Sequence, residues 1–411
     1  MNFKTKIIFL MFIFSLFQIN FVFADQGAAD AGAKTNWSPV KISLFGKYGL
    51  PRISEVYGID IGIIGTTNKN VYGIAAGGLY SKTDNLYGLQ VSAGRNIAVN
   101  KLRGFQIAGI SSEGGHIAGF QYSGLYSKAD NFYGIQTSGL YSKSENSCLI
   151  QIGGLGAVTK DFWGLQASGL YGRSETFHGL NLSGGVLQNK EFTGIEIAGL
   201  GALSSQNVTG IQIASLYGSC GNNKLNYDLG FIKKKENNVI GASTAAVRGL
   251  QACGLISKTE NLYGISFAGL VSDCDNKFYG ISVGGLSAYS GNGTGLCVSS
   301  IYSANHGEKF SGVLASSILS YSDTLTGLQV SFINTASDIT GLQFGGINHI
   351  TRNLKGVQLG ILNEAENISG IQIGVFNYGQ TLSGVQIGLL NCLDKPDMLK
   401  LKIVPLLNFC W

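Results

Sequence analysis

The side chains that most often do acid–base or nucleophilic chemistry are few and scattered in this sequence. His116, His178, His306 and His349 are its four histidines, and none has a serine or cysteine nucleophile motif beside it. The seven cysteines are odd in number and form no Cys-x-x-Cys pair of the kind that binds zinc or does redox chemistry. We therefore predict no catalytic residue, no cofactor and no enzyme, and we interpret the cysteines as small buried or surface thiols, with one or two adventitious bridges as the alternative.

Acidic side chains recur beside lysines in short polar turns. A calcium ladder is conceivable there, but calcium binds where several carboxylates converge, and the neighbouring lysines offset the charge. We therefore predict a solvated face of alternating charge and no metal site. The acidic residues are Asp84, Asp130, Glu145 and Glu260, and the lysines are Lys82, Lys128, Lys143 and Lys258.

These residues belong to an internal repeat, which must position them. A glycine that precedes an aliphatic-x-aliphatic step returns every 14 to 17 residues, and mostly every 15. Such a register predicts a repeat architecture in which each unit packs on its neighbours. The 21 anchors are Gly58, Gly73, Gly88, Gly104, Gly119, Gly134, Leu149 in place of glycine, Gly164, Gly179, Gly194, Gly210, Gly249, Gly264, Gly280, Gly295, Gly312, Gly327, Gly341, Gly356, Gly370 and Gly384.

Each unit alternates apolar and polar residues with the period of a strand, and polar turn residues follow. We expect about three aliphatic side chains of each unit to be buried. A glutamine two residues after the anchor should stack into a hydrogen-bonded ladder between units. Its members include Gln90, Gln106, Gln121, Gln136, Gln151, Gln166, Gln343, Gln358, Gln372 and Gln386.

A second column, seven residues after the anchor, changes type along the chain. Its tyrosines are a candidate interaction column for sugars or a partner protein, and buried ladder packing is the alternative interpretation. In the last units we expect asparagine to replace tyrosine in this column. The tyrosines are Tyr80, Tyr126, Tyr141, Tyr171 and Tyr217, and the asparagines are Asn334, Asn348, Asn363, Asn377 and Asn391.

Two all-β architectures can use such a unit. An antiparallel outer-membrane β-barrel has connections that alternate between two ends and commonly differ in length, whereas the turns here are short and alike. We therefore predict a parallel β-solenoid of about 21 coils of about 15 residues. The barrel stays open as the alternative, because the chain ends on alternating apolar residues and a terminal Trp411.

Composition narrows the function classes. The 411 residues include 60 Gly and only 13% charged residues, and the balance leaves no basic patch for nucleic acid. Lys4, Lys6 and the apolar run from Ile7 predict a cleavable signal peptide. The predicted organisation is a signal peptide at 1–24, an N-terminal linker and cap at 25–57, a first repeat array at 58–217, an irregular excursion at 218–248, a second array at 249–397 and a C-terminal capping strand at 398–411.

The last units resemble the repeat of a bacterial surface-repeat family of spirochaetes such as Leptospira and of Bacteroidetes, and the resemblance continues more weakly back to about Tyr57. It implies an exported protein at the outer membrane or cell surface, or secreted. We expect a non-enzymatic structural or adhesive scaffold whose partner is a surface or host protein or a glycan, with peripheral membrane contact as a further option. A barrel pore and a polysaccharide-active β-helix enzyme are the alternatives. The matching segments are GLQVSFIN, GLQFGGIN, GVQLGILN, GIQIGVFN and GVQIGLLN.

Overall fold

The computed structural model describes residues 37–221, 245–394 and 403–410. The predicted signal peptide and the first part of the predicted linker lie outside these residues. The described chain is a parallel β-solenoid of about 22 turns of about 15 residues, which confirms the predicted fold class. Among the described residues, no helix is long and apolar enough to cross a membrane.

The described residues form 29 strands. They are β1 (Trp37–Phe45), β2 (Tyr48–Leu50), β3 (Glu55–Gly62), β4 (Gly65–Gly77), β5 (Tyr80–Ser92), β6 (Arg95–Ala108), β7 (Ser111–Ser123), β8 (Tyr126–Ser138), β9 (Tyr141–Gly153), β10 (Gly156–Val158), β11 (Asp161–Ser168), β12 (Tyr171–Ser183), β13 (Val186–Ala198), β14 (Gly201–Ser204), β15 (Val208–Ala214), β16 (Tyr217–Cys220), β17 (Ala246–Cys253), β18 (Ile256–Ala268), β19 (Val271–Gly284), β20 (Ser287–Ser290), β21 (Asn292–Ser299), β22 (Tyr302–Asn305), β23 (Lys309–Ala315), β24 (Leu319–Val330), β25 (Ile333–Phe344), β26 (Ile347–Leu359), β27 (Leu362–Ile373), β28 (Phe376–Leu393) and β29 (Ile403–Cys410).

Successive coils pair in parallel, with each anchor directly above the previous one. Gly73 pairs with Gly88, and Gly119 with Gly134. In the described chain, antiparallel pairing occurs only at the two ends, where β1 meets β2 and β28 meets β29. The antiparallel alternative is therefore wrong. Identical positions of neighbouring units form columns along the solenoid, which is why one unit can be substituted for another without a change of register.

Strand β5 illustrates the coil. Its inward residues are Ser81, Thr83, Leu86, Gln90 and Ser92, all buried. Strict alternation fails at three places in each coil, where two or three successive residues face outward. Each failure marks a corner, so the coil has three short sides. The anchor glycine lies at the corner that follows the inward leucine.

The anchor glycine is required by two constraints. Its φ is positive, for example +139° at Gly134, a backbone conformation that other residues rarely adopt. A Cβ built on Gly134 would lie 1.9 Å from the carbonyl oxygen of Gly119 in the preceding coil. The parallel ladder brings the two backbones this close at every anchor, so glycine at this column follows from coil stacking.

The side chains that point into the coil are not the ones expected from the sequence. The glutamines that follow the anchors are fully buried, whereas the aliphatic residues on either side of them face outward. Leu86 is the one large aliphatic side chain buried in its coil, and the expectation of three buried aliphatics is therefore wrong. A period-two pattern can be placed with either set inward, and the amide ladder decides the phase.

The asparagine column is also placed differently from the expectation. Asn334 pairs with Ser320, while Leu319 pairs with Ile333. The asparagines therefore continue the inward serine column, and the tyrosine column continues as Ile333, Ile347 and Leu362. The cause is a turn one residue shorter in the last units, which shifts every later position relative to the anchor.

The two predicted arrays form one continuous solenoid. Strand β15 pairs directly with β17, with Gly210 against Gly249, and β16 pairs with β18. Strands β16 and β17 are therefore the two parts of one coil, separated in sequence by residues 222–244, which lie outside the described residues. The residues of the predicted excursion at 218–220 and 245–248 belong to that coil.

Polar residues close both ends of the core. At the first coil, Lys41 Nζ donates to Asn68 Oδ1 (2.7 Å), and Asn68 Nδ2 donates to Asp60 Oδ2 (2.5 Å). Burial lowers the pKa of Lys41 and raises that of Asp60, and the attraction between the two charges partly opposes both shifts. At the last coil, Asn408 Nδ2 of β29 donates to Gln386 Oε1 (2.9 Å).

Replacing Gly134 with alanine should destabilise the solenoid by about 3 kcal/mol or more, because the positive φ and the close carbonyl both penalise a Cβ. Gly201→Ala is the matched control, since the nearest atom to a Cβ added there, the carbonyl oxygen of Tyr217, lies 3.5 Å away. Denaturant midpoints by far-UV circular dichroism measure both. Equal midpoints for the two variants would contradict the close stacking of the anchors.

Candidate functional site

The outer surface carries a continuous apolar face on one side of every coil. The residues one and three positions after each anchor point outward on this side, and none of them is charged in any of the 21 units. Ile195 and Ile197 in β13 are 42% and 40% exposed. At about 4.8 Å per coil the face is about 100 Å long, and with a width of about 10 Å it covers about 1,000 Å². A typical monomer's largest apolar patch is about 300–600 Å².

The corner after this side extends the apolar face. A leucine or isoleucine occupies it in most coils, for example Leu79 (63% exposed), Leu170 (61%) and Ile318 (50%). The Leu79 and Leu170 amides donate to the coil before, and the Ile318 carbonyl accepts from Ile333 N of the coil after, so the corner residues stack regularly. The face therefore has three parallel rows of aliphatic side chains.

Aromatic and basic residues flank the apolar face at the anchor corner. In the column that precedes the anchor, the Tyr57 and Tyr72 rings stack at 4.6 Å and the Tyr72 and Tyr87 rings at 4.8 Å. Arg103 lies over the Tyr87 ring at 5.9 Å, and Arg248 lies over Tyr263 at the same distance. This column contains no acidic residue. We call it the anchor-side flank.

The predicted tyrosine column flanks the face at its other edge. Tyr126 and Tyr141 stack there with ring centroids 5.9 Å apart, and Tyr171 Oη donates to Gln188 Oε1 (2.9 Å). Tyr80 and Tyr217 belong to the same column, but other residues separate them from these three. This column, the turn-side flank, also lacks acidic residues.

The predicted glutamine ladder lies in the interior. Gln136 Nε2 donates to Gln121 Oε1 (2.8 Å) and across the coil to the Lys143 carbonyl (3.3 Å), while its Oε1 accepts from Gln151 Nε2 (2.9 Å). The Gln136 amide thus has three protein partners. One run of the ladder contains Gln90, Gln106, Gln121, Gln136, Gln151 and Gln166, and another contains Gln329, Gln343, Gln358, Gln372 and Gln386.

A carboxyl group takes the place of the amide at Glu196, as Asp60 does in the first unit. Glu196 is fully buried in the glutamine column, where it accepts from Asn189 Nδ2 (2.9 Å) and Gln212 Nε2 (3.2 Å). Burial raises the pKa of Glu196 to about 8, and the two hydrogen bonds oppose the shift. The carboxyl is therefore mostly protonated at neutral pH and takes the place of an amide in the ladder.

The remaining chemistry-bearing residues do not converge. Among the described residues, no group of three histidine, cysteine or acidic side chains is placed to hold a metal ion. The four histidines lie in different coils, and all seven cysteines are free thiols. Five of these cysteines are buried in the interior, where burial raises the thiol pKa of Cys253 to about 12.

One coil breaks the repeat at three successive positions. Ser147 replaces the inward leucine or phenylalanine, Cys148 replaces a ring of the anchor-side flank, and Leu149 replaces the anchor glycine. Leu149 keeps a positive φ of 96°, a strained conformation for a side chain of this size. A cleft of about 480 Å³ runs along the anchor-side flank from Arg103 to Trp163 and includes the gap between the Tyr133 and Trp163 side chains.

No family model matches the chain, and no curated protein or solved structure does.

The stability of the protein should fall as pH rises from about 4.5 towards 8. In this range Glu196 keeps its proton when folded and loses it when unfolded, so the stabilisation is complete below the unfolded pKa of 4.5 and is lost as pH approaches the folded pKa of about 8. Glu196→Gln should remove this part of the pH dependence. Denaturant midpoints across the range measure it.

Glu191→Gln, an exposed site on the same strand, is the control for the loss of one carboxylate. The same decline in the Glu196→Gln variant as in the unsubstituted chain would contradict a buried, protonated carboxyl.

Proposed function

We propose that the chain is an exported, non-enzymatic scaffold of the bacterial surface that lies along a lipid layer through its apolar face. The single observation that carries this proposal is the uncharged outward face, about 1,000 Å² by strand spacing. A face of this size and composition is unfavourable in water and favourable against hydrocarbon. The signal peptide expected at residues 1–24 supports the extracytoplasmic part of the proposal.

The residues beside the face suit a membrane interface. Tyrosine and tryptophan prefer the headgroup region, where an apolar ring and a polar group are both solvated. Tyr57, Tyr72 and Trp163 lie on the anchor-side flank, and Tyr126 and Tyr141 on the turn-side flank. The aliphatic face is therefore bordered on both sides by residues of interfacial type.

Charge selects anionic lipid as the surface. Both flanks lack acidic residues, while Arg103, Arg248 and Lys355 lie in them. Arg95 also lies in the turn-side flank, but it is paired with Glu113 (2.8 Å). Basic groups near an anionic surface contribute about 1 kcal/mol each to binding. The aliphatic rows supply the apolar contact, and the bases supply the preference for negatively charged headgroups.

The parallel fold suits a scaffold. Because every coil presents the same three outward sides, attachment by one side leaves the other two free along the whole length. Those sides carry the polar turns, including Lys82, Asp84 and Asn85 in β5. A protein of this form would lie on the surface and display a repeated polar array away from it.

The test is flotation of the chain without residues 1–24 with vesicles of phosphatidylethanolamine and phosphatidylglycerol. Replacing Ile135, Ile195 and Ile371 with glutamate should weaken binding at least about tenfold, because three charges would enter the lipid contact. All three side chains face outward, so the fold is expected to survive, as circular dichroism will verify. Binding should also fall on vesicles of phosphatidylcholine alone.

The matched control places glutamate at Asn100, Ser205 and Asn276, which are exposed at the polar corner and change the net charge equally. Control and unsubstituted chain should float alike. Two outcomes contradict the proposal: absence of flotation in the unsubstituted chain, or a dimer in sedimentation that the isoleucine substitutions dissociate. The second outcome would assign the apolar face to another copy of the chain.

A further inference from the structure

We propose that the cleft at the irregular coil binds the pyranose ring of a glycan, held between the side chains of Tyr133 and Trp163. The two rings flank Cys148 in the anchor-side flank, one on the coil before it and one on the coil after it. Both side chains are well exposed, at 61% for Tyr133 and 64% for Trp163.

The spacing of the coils sets the width of the slot. Rings on adjacent coils of this column lie 4.4–5.5 Å apart, and those of Tyr57, Tyr72 and Tyr87 stack at 4.6 and 4.8 Å. Tyr133 and Trp163 are two coils apart, which separates them by about 9–10 Å. The small Cys148 side chain leaves the space between them open, so this is a gap of one missing ring.

The width favours a puckered ring over a flat one. Two carbon contacts of about 3.5 Å give about 7 Å for a planar ring held on both faces, which leaves the slot loose. A saturated six-membered ring with C–H groups on both faces needs about 8–9 Å by the same contact distances. A pyranose therefore fills the slot, and its C–H groups meet the electron-rich faces of the two aromatic rings.

A row of polar side chains runs beside the slot and suits sugar hydroxyls. Asn146 Nδ2 donates to Asn131 Oδ1 (2.8 Å), and Asn131 Nδ2 contacts His116 Nδ1 (3.0 Å). Asp161 pairs with Asn146 on the next coil, and all four side chains line the cleft. Amide and carboxylate groups in a row offer donors and acceptors to neighbouring hydroxyls.

The inward column beneath the slot contains one small residue between two large ones. In the inward column Phe132 is followed by Ser147 and then by Phe162, so one bulky apolar side chain is missing beneath the slot. Ser147 bonds to Ser144, and Gln151 Nε2 donates to Ser144 Oγ (3.3 Å). The slot is part of a longer cleft of about 480 Å³ from Arg103 to Trp163, a volume within the range of small-ligand sites.

The strained Leu149 is the second sign that this coil is specialised. Every other anchor in the array is glycine, and the Leu149 side chain is 44% exposed next to Cys148. Backbone strain of this kind costs about 1–3 kcal/mol and concentrates at binding and catalytic sites. Two departures from the repeat, Ser147 and Leu149, therefore lie on either side of Cys148 at the slot.

The experiment titrates the chain without residues 1–24 with methyl glucopyranoside, methyl galactopyranoside, N-acetylglucosamine and glucuronic acid. Saturation-transfer NMR and the fluorescence of Trp163 are the readouts. At least one pyranose should bind with a Kd of about 1 mM, as expected of a single ring in an open slot. Phenol, a flat probe of similar area, should bind at least about tenfold more weakly.

Cys148→Tyr should weaken pyranose binding at least about tenfold, because the new ring fills the gap in the column. The fold should tolerate this change, since tyrosine already occupies the column at Tyr72 and Tyr133. Thr326→Tyr adds the same ring in the same column far from the cleft and should leave binding unchanged.

Tyr133→Ala, an exposed site that removes one wall, should weaken binding in the same NMR assay if Cys148→Tyr fails to fold. The proposal is overturned if none of the four sugars binds, if phenol binds better than every pyranose, or if Cys148→Tyr binds as well as the unsubstituted chain. Vesicle binding plays no part in these readouts, so failure here leaves the lipid proposal to its own test.

Discussion

A buried row of glutamine amides is the constraint on which the rest of the structure depends. An amide inside a protein costs free energy unless its donors and its acceptor are all paired. Gln136 meets this requirement with Gln121, Gln151 and the Lys143 carbonyl. These partners exist only if each coil lies directly above the last one, in the same register. The ladder therefore fixes the parallel stacking and the register of the coils, while the number of residues per coil varies at the turns.

The same ladder determines the character of the surface. Because side chains of a strand alternate, an inward glutamine forces the residues on either side of it outward. In β8 these are Ile135 and Thr137, and in β13 they are Ile195 and Ile197 around Glu196. The apolar face is therefore a direct consequence of a polar interior row. The buried amide ladder and the apolar face on which the lipid proposal rests both follow from one fact, that the glutamines point inward and their neighbours outward.

Much of the fold could be predicted from the sequence. The anchor spacing gives the coil length, and the similar turns favour parallel coils over antiparallel strands. The spacing does not show which residues point inward, because an arrangement with the aliphatic residues inside and the glutamines outside fits the period equally well. Leu86 held the missing signal: it belongs to an inward column of mostly valine, leucine, isoleucine and phenylalanine, so the core already had its bulky residues.

Two local features also needed the structure. The last units have a turn one residue shorter, and only the pairing of Ser320 with Asn334 shows which columns continue. The cleft was visible in sequence as Leu149 in place of glycine, but the pattern could not relate it to Tyr133 and Trp163. Those two side chains lie on either side of Cys148 only because residues 15 apart in the sequence lie on adjacent coils. In a repeat protein, a candidate site can be recognised where neighbouring columns depart from the repeat in the same coil.

The most direct test of the amide ladder compares two neighbouring residues, Gln136 and Ile135, by the free energy of unfolding. Gln136→Leu should cost about 2 kcal/mol or more, because it removes one hydrogen-bond partner from each of the buried amides of Gln121 and Gln151. Ile135→Gln should change stability by less than about 0.5 kcal/mol, because that side chain faces outward. The opposite result, a stable leucine variant and a destabilised glutamine variant, would place the aliphatic residues inside and contradict the ladder.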